Sequence, residues 1–153
     1  MIGKLNMKFS VKSEYAVTAV LDVAGHADKG PVHVKSIASR QSIPVRFLEQ
    51  VMASLKKAGI VDSIRGAQGG YVLARDPKTI NIAQIIEAIE GPITPVDSIT
   101  DSAEFKSSHV NGHVVRDVWD DVKRAISNVL NGVTIDDLIR KIREKEVSVM
   151  YHI

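Results

Sequence analysis

Cysteine is absent from the 153 residues. That excludes disulfides and every chemistry that needs a thiolate. No apolar run approaches the ~20 residues a membrane-spanning helix requires, and residues 1–10 lack the long apolar core of a secretory signal. A soluble, cytoplasmic protein is expected. Internal repeats and low-complexity tracts are missing too. So is the furniture of catalysis: Ser42 and Ser54 have no evident histidine partner, and no paired carboxylates stand out. The glycines at 66, 69 and 70 are spaced for a hairpin rather than for a strand-to-helix phosphate loop. An enzyme is not expected.

What is present is ordinary globular material, 44% hydrophobic and 25% charged, enough for one domain or one domain with a dimerisation extension. The net charge of +2 conceals a split. Residues 1–78 hold 12 Lys/Arg against 6 Asp/Glu, and residues 79–153 hold 8 against 12, so the halves carry +6 and −4. A basic half joined to an acidic one is the electrostatic footprint of a nucleic-acid-binding domain attached to something else. Residues 1–78 are accordingly read as the binding domain and 79–153 as a dimerisation and sensing region.

The binding unit is read in residues 34–73. Ile37 and Ala38 are the apolar positions of a short helix, and Ser42, Ile43 and Pro44 break it, because proline disfavours helical geometry in the residue before it. A second helix is predicted over 45–58. Its Leu48, Val51, Met52 and Leu55 recur at i, i+3, i+4, i+7 and form one buried stripe. Gly59 stops it, with Lys56 and Lys57 well placed in the last turn. Two short β-branched runs, 60–64 and 71–73, flank RGAQGG at 65–70, a sequence that can turn sharply. Helix, turn, helix and glycine-tipped hairpin are the order of a winged helix-turn-helix: a mainly α fold with a small β wing.

Arg46, Phe47, Glu49 and Gln50 lie off the buried stripe in the first turns of the second helix, where this motif meets base edges in the major groove. Arginine can pair bidentately with guanine, glutamine with adenine, and glutamate can accept from cytosine N4. Arg65 and Gly66 sit at the hairpin tip, within reach of a phosphate or the minor groove. Lys8 and Lys12, near the start of the first helix, could reach phosphates. Taken singly these are ordinary solvated side chains. Taken in this order they specify double-stranded DNA. The alternative is a protein–protein adaptor that keeps the winged helix without reading DNA.

Elsewhere, residues 1–7 read as a loose start, with Met7 an alternative beginning. Ser10 or Ser13 caps a first helix ending near Ala27, with Tyr15, Val17, Val20, Leu21 and Ala24 as its apolar face. Residues 32–34 are expected as a short strand completing the wing sheet. Asn81 caps a helix over 82–90, with Ile82, Ile85, Ile86 and Ile89 on one face, and Gly91 and Pro92 end it. Residues 91–113 form a long polar loop, and loops of that length are usually functional or disordered. A long helix over 112–131 follows. Its stripe (Val115, Val118, Trp119, Val122, Ile126, Val129) is wider than one small core can cover, so it is expected to pair with a second copy across a two-fold axis. Such a dimer would suit a pseudo-palindromic operator. Thr134 caps a last helix to about Lys145, with Ile135, Leu138, Ile139 and Ile142 inward. Residues 147–153 alternate weakly and are expected to dock.

YAVTAVLDVA at 15–24, FLEQ at 47–50, LKKAG at 55–59 and SIRGAQGGY at 63–71 closely resemble the Rrf-two family of bacterial transcription regulators, which includes an iron–sulfur cluster regulator and a cysteine-metabolism repressor. The resemblance covers nearly the whole chain. It implies a homodimeric regulator, a repressor by preference, of iron–sulfur, sulfur or redox metabolism. It also implies groove contacts from Arg46, Phe47, Glu49 and Gln50 and a wing contact from Arg65 and Gly66.

Many relatives hold an iron–sulfur cluster with three cysteines in the long loop. Here Ser98 stands near the first of those positions and His113 near the third, and the middle one falls near residues 106–108. A cluster held by cysteine is ruled out. Three alternatives stand: the cluster is lost, the cysteines are replaced, or a site around His109 and His113, helped by His26 or His33, binds a metal. Two histidines with no third ligand nearby are more often surface residues, so neither metal nor cofactor is expected. A small molecule or partner protein acting through Ser98, His109 and His113 is the remaining role for the loop.

Overall fold

The computed structural model describes residues 9–93 and 110–152. Six helices and one hairpin follow in order: α1 (Val11–Gly25), α2 (Val34–Gln41), α3 (Val45–Lys57), β1 (Val61–Ile64), β2 (Gly70–Leu73), α4 (Ile82–Glu90), α5 (Val110–Asn131) and α6 (Ile135–Tyr151). Short 3-10 turns lie at Ala27–Lys29 and Pro77–Thr79.

Helix α1 is the hub. Ser10 caps it, its hydroxyl accepting from the Ser13 amide at 3.3 Å, as the cap of a helix N-terminus should. It packs against α2, α3, α4, α6 and β2. The sequence pattern favoured Tyr15, Val17, Val20, Leu21 and Ala24 as its inner face. In the structure Ala16, Ala19, Val20 and Val23 are the deepest apolar positions, while Tyr15, Val17, Leu21 and Ala24 are half-buried against the same core. A helix enclosed by five neighbours has no single inner face, and small alanines let those neighbours approach closely.

The helix-turn-helix forms as its residues suggest. Ile37 and Ala38 are the buried positions of α2. Ser42 closes α2 in the left-handed region, φ 54° and ψ 41°, and Pro44 precedes the first residue of α3. Leu48, Val51, Met52 and Leu55 are all buried. At the end of α3 the amide of Gly59 donates to the Lys56 carbonyl and that of Ile60 to the Leu55 carbonyl, both at 3.0 Å. These are the paired bonds of a Schellman stop. They deliver the chain directly into β1.

The hairpin is antiparallel with Val61 opposite Leu73 and Ile64 opposite Gly70. A Cβ on Gly69 would stand 2.1 Å from the Ile64 carbonyl oxygen, and one on Gly70 would stand 2.6 Å from the Val32 backbone. Only glycine fits that approach. Residues 32–34 do not form the expected third strand. Val32 makes one bridge to Tyr71, exchanging bonds of 2.9 and 2.8 Å, and Val34 already begins α2.

Beyond the wing, α4 and α6 start side by side. Each N-terminus is closed by a capping box, Asn81 with Gln84 and Thr134 with Asp137, so two otherwise orphan amides are satisfied at each end. Asn81 and Thr134 form a bridge. The Ile82 amide donates to Val133 at 3.0 Å and that of Ile135 to Ile80 at 2.9 Å. Ile80, Ile85 and Ile135 belong to the same hydrophobic cluster as the buried residues of α1, α2 and α3.

Two departures concern the late helices. Helix α5 begins at Val110, two residues before the expected start, and none of its 22 residues is buried. Helix α6 continues to Tyr151 instead of ending near Lys145, so the weakly alternating 147–153 segment is helical. No glycine or proline interrupts it, and adding a residue to an existing helix costs far less than nucleating one. Nor does it dock within the chain: Val147, Val149, Met150 and Tyr151 are exposed. Ile135 is the buried residue of α6, Leu138 and Ile139 are half-buried, and Ile142 is exposed.

Candidate nucleic-acid interface

With the stripe of α3 turned into the core, its other side is open. Arg46, Phe47, Glu49 and Gln50 are all exposed, and so is Val45 ahead of them. An exposed phenylalanine flanked by a guanidinium, a carboxylate and an amide is a poor core surface. It suits a duplex groove, which offers both hydrogen-bonding edges and thymine methyl groups.

Two neighbours frame this surface. On one side the first turn of α1 brings Lys12 to α3, its Nζ donating to Gln50 Oε1 at 3.1 Å. On the other, an open groove of about 620 Å³ separates α3 from the wing. Glu49 lines it, together with Lys35 and Ser36 from the first turn of α2 and Ser63, Ile64 and Tyr71 from the hairpin. Lys56 Nζ donates to Ser63 Oγ at 2.6 Å and ties the end of α3 to β1. Arg65 and Gly66 are exposed beyond Ile64, with Gly66 at φ 110°. Lys12, Gln50, Arg46, Phe47 and Glu49 all face solvent, and Glu49 looks onto the groove that the wing closes on its far side.

Lys35 and Ser36 have no signal of their own in the sequence, and Lys56 has one only as a cation in the last turn of its helix. Their place follows from the wing folding back beside α2, which the 32–71 bridge enforces and which no local pattern announces.

The anchor of the helix-turn-helix was also not legible. Asp22 lies on α1 among apolar residues, and its side chain is fully buried. Arg40 grips it in a fork, Nε to Oδ2 at 2.9 Å and Nη2 to Oδ1 at 2.6 Å. Gln41 Nε2 adds a third bond at 2.9 Å. His26 Nδ1 lies 2.8 Å from the Asp22 backbone carbonyl. Burial pushes the Asp22 carboxyl up, but the hydrogen bonds from Arg40 and Gln41 and the guanidinium charge outweigh it and hold the group below the usual carboxylate range. A bidentate, charge-assisted pair of this kind fixes orientation as well as distance. It locks the end of α2 to α1. The one signal in the sequence is an aspartate in the middle of the apolar face of α1.

Of the loop candidates, Ser98 and His109 lie outside the described residues. His113 is exposed on α5. Among the described residues no group of three or more His, Cys, Asp or Glu could hold a metal ion. A thiolate-held cluster does not fit a chain whose donors include no sulfur of that kind. No described helix is long and apolar enough to cross a membrane.

A helix-turn-helix with a glycine-tipped wing and an uncovered second helix defines a DNA-binding protein of the winged-helix class. Residues 9–141 match the family model described as Rrf2, iron-dependent transcriptional regulator, and the chain belongs to that family. It is 35% identical over 147 residues to the HTH-type transcriptional regulator CymR of Bacillus subtilis, covering 96% of this chain and all of that one. Among solved structures, T. potens IscR superposes with a TM-score of 0.73 at 40% identity, over 94% of this chain and 93% of that one. The structure of CymR, the global cysteine regulator of B. subtilis, gives a TM-score of 0.73 at 36% identity, over 88% of this chain and 97% of that one. Winged-helix architecture and membership among transcriptional regulators are therefore as the residues implied, and nothing supports the adaptor alternative.

Proposed function

We propose that the protein is a homodimeric, sequence-specific repressor acting in the cytoplasm on a pseudo-palindromic operator, and that the genes it controls serve cysteine, sulfur or iron–sulfur metabolism. Arg46, Phe47, Glu49 and Gln50 enter the major groove, Lys12 lies beside them, and Arg65 and Gly66 carry the wing to the phosphates or the minor groove. The observation that carries this reading is the uncovered side of α3: four dissimilar exposed side chains on a helix whose opposite stripe is fully buried. The cysteine connection comes from relatives, one of which is the B. subtilis cysteine regulator.

Two protomers are required because one recognition helix reads too few base pairs to define a site, and half-sites lie about one helical turn apart. Helix α5 is the proposed seam. Val115, Val118 and Val129 are exposed on it and Trp119, Val122 and Ile126 are half-buried.

Selection of bound duplexes from a random pool, followed by salt titration of the best site, tests the reading. An operator with two related half-sites is expected. Arg65→Ala should weaken binding to it and reduce the slope of log affinity against log salt by about one. Full operator affinity with an unchanged slope in that variant would remove the wing contact, and a pool that enriches no motif would remove sequence-specific binding altogether.

A further inference from the structure

Lys12 is far from α3 in sequence, yet its ammonium reaches Gln50 Oε1 at 3.1 Å. The first turn of α1 has little freedom to move away. Ala16, Ala19 and Val20 sit in the same core as Leu48, Val51 and Met52 of α3, and the Ser10 amide is held by the Glu90 carboxylate of α4. Lys12 therefore starts from a fixed backbone position beside the reading surface.

The consequence is chemical. A free glutamine offers an acceptor and a donor side by side, the pattern that complements adenine N7 and N6. Once the carbonyl oxygen is engaged by an ammonium, the free end of the amide is Nε2 with its two N–H donors, and the ammonium brings further donors next to it. The pair offers donors where glutamine alone offers one of each. In the major groove the matching edge is that of guanine, whose O6 and N7 are both acceptors. Adenine would place its N6 amino donor against a cation.

We infer that Lys12 is a specificity-determining residue: by holding the Gln50 carbonyl it converts the glutamine from an adenine reader into half of a guanine reader. This rests on the DNA-binding role proposed for α3. It differs from a phosphate contact, which adds affinity for every sequence alike.

The test is selection of bound duplexes with the full chain and with Lys12→Met, Lys12→Arg and Gln50→Ala. One base pair in each half-site should be guanine for the unaltered protein and lose its preference in Gln50→Ala. At that pair Lys12→Met should move the guanine-to-adenine ratio toward adenine by roughly tenfold, the size of one bidentate base contact. Lys12→Arg, which keeps a donor, should restore guanine. An unchanged motif in Lys12→Met with a salt slope lower by about one would make Lys12 a plain phosphate contact and overturn the inference. Adenine at the Gln50-dependent pair in the unaltered protein would overturn it equally. If the unaltered protein enriches no motif, the failure lies with the DNA-binding role itself.

Discussion

Asp22 and Arg40 are partners with unequal stakes. The aspartate side chain is fully buried while that of Arg40 is 38% exposed. Removing the aspartate leaves a guanidinium that can turn to water. Removing the arginine strands a buried carboxylate with Gln41 as its remaining side-chain donor. Arg40→Ala should therefore destabilise more, by about 3 kcal/mol, than Asp22→Ala at about 1–2 kcal/mol. Urea denaturation of both variants checks the order. A larger loss in Asp22→Ala would mean that the carboxylate is more hydrated than its burial implies.

The same carboxylate sets an acid limit. Its pKa is lower in the folded chain than the 3.8 of an ordinary aspartate, so the unfolded chain takes up its proton first as pH falls. The stabilisation is complete above the unfolded value and disappears as pH drops through the folded one. Glu90, on which burial is the largest single influence and acts upward but is outweighed by the combined hydrogen bonding at Ser10 and Ser13, contributes with the same sign. Stability should be flat from neutral pH to about pH 5 and fall below about pH 4. Asp22→Asn should flatten that fall, measured by urea melts between pH 3 and 6.

Glu49 is exposed on α3 and lines the groove toward the wing. A carboxylate there repels phosphate, so discrimination among bases is its better use. Glu49→Ala should broaden the set of selected sequences more than it weakens binding to the best one. Identical motifs for the two proteins would remove that role. None of these residue roles is equally visible in sequence. Arg46, Glu49 and Gln50 announce themselves by missing the apolar period of α3. Asp22, whose partners lie 18 and 19 residues away, announces nothing, because its meaning depends on a contact between helices.

At the scale of elements, periodicity located nearly everything that has a one-sided environment. Helices α3 and α4 each bury one side and run Val45–Lys57 and Ile82–Glu90, close to their expected bounds, with Asn81 capping α4; within α4 Ala83 is buried beside Ile85 and Ile86 while Ile82 and Ile89 are half-buried. Helix α1 is surrounded, so its pattern is blurred. Helix α6 runs past its expected end near Lys145 because the weakly alternating residues beyond it carry no helical period, yet no breaker stops the helix from continuing. Helix α5 is the opposite case: a clear stripe with no buried residue in the single chain. Val118, 55% exposed there, is a direct probe. Val118→Lys should shift the protein from dimer to monomer in light scattering and lower operator affinity by at least tenfold, since one half-site alone remains engaged. An unaltered dimer would place the seam elsewhere.

For the molecule as a whole, residues 1–78 carry +6 and residues 79–153 carry −4, and the basic half is the one a duplex would attract. The winged-helix order was legible because turn chemistry and apolar period agree at each step. How α4 and α6 join was not legible, since it rests on backbone bonds between residues more than 50 positions apart, Ile82 to Val133 and Ile135 to Ile80. The Asn81–Thr134 bridge and its two flanking amide bonds mean that α4 and α6 share a common root. A displacement of α6, which itself packs on α1, would reach through that root a helix packed on both α1 and α3. The two helices should behave as one lever. In hydrogen–deuterium exchange the amides of Ile82 and Ile135 should open together, at one free energy. Separate rates would show that each swings by itself.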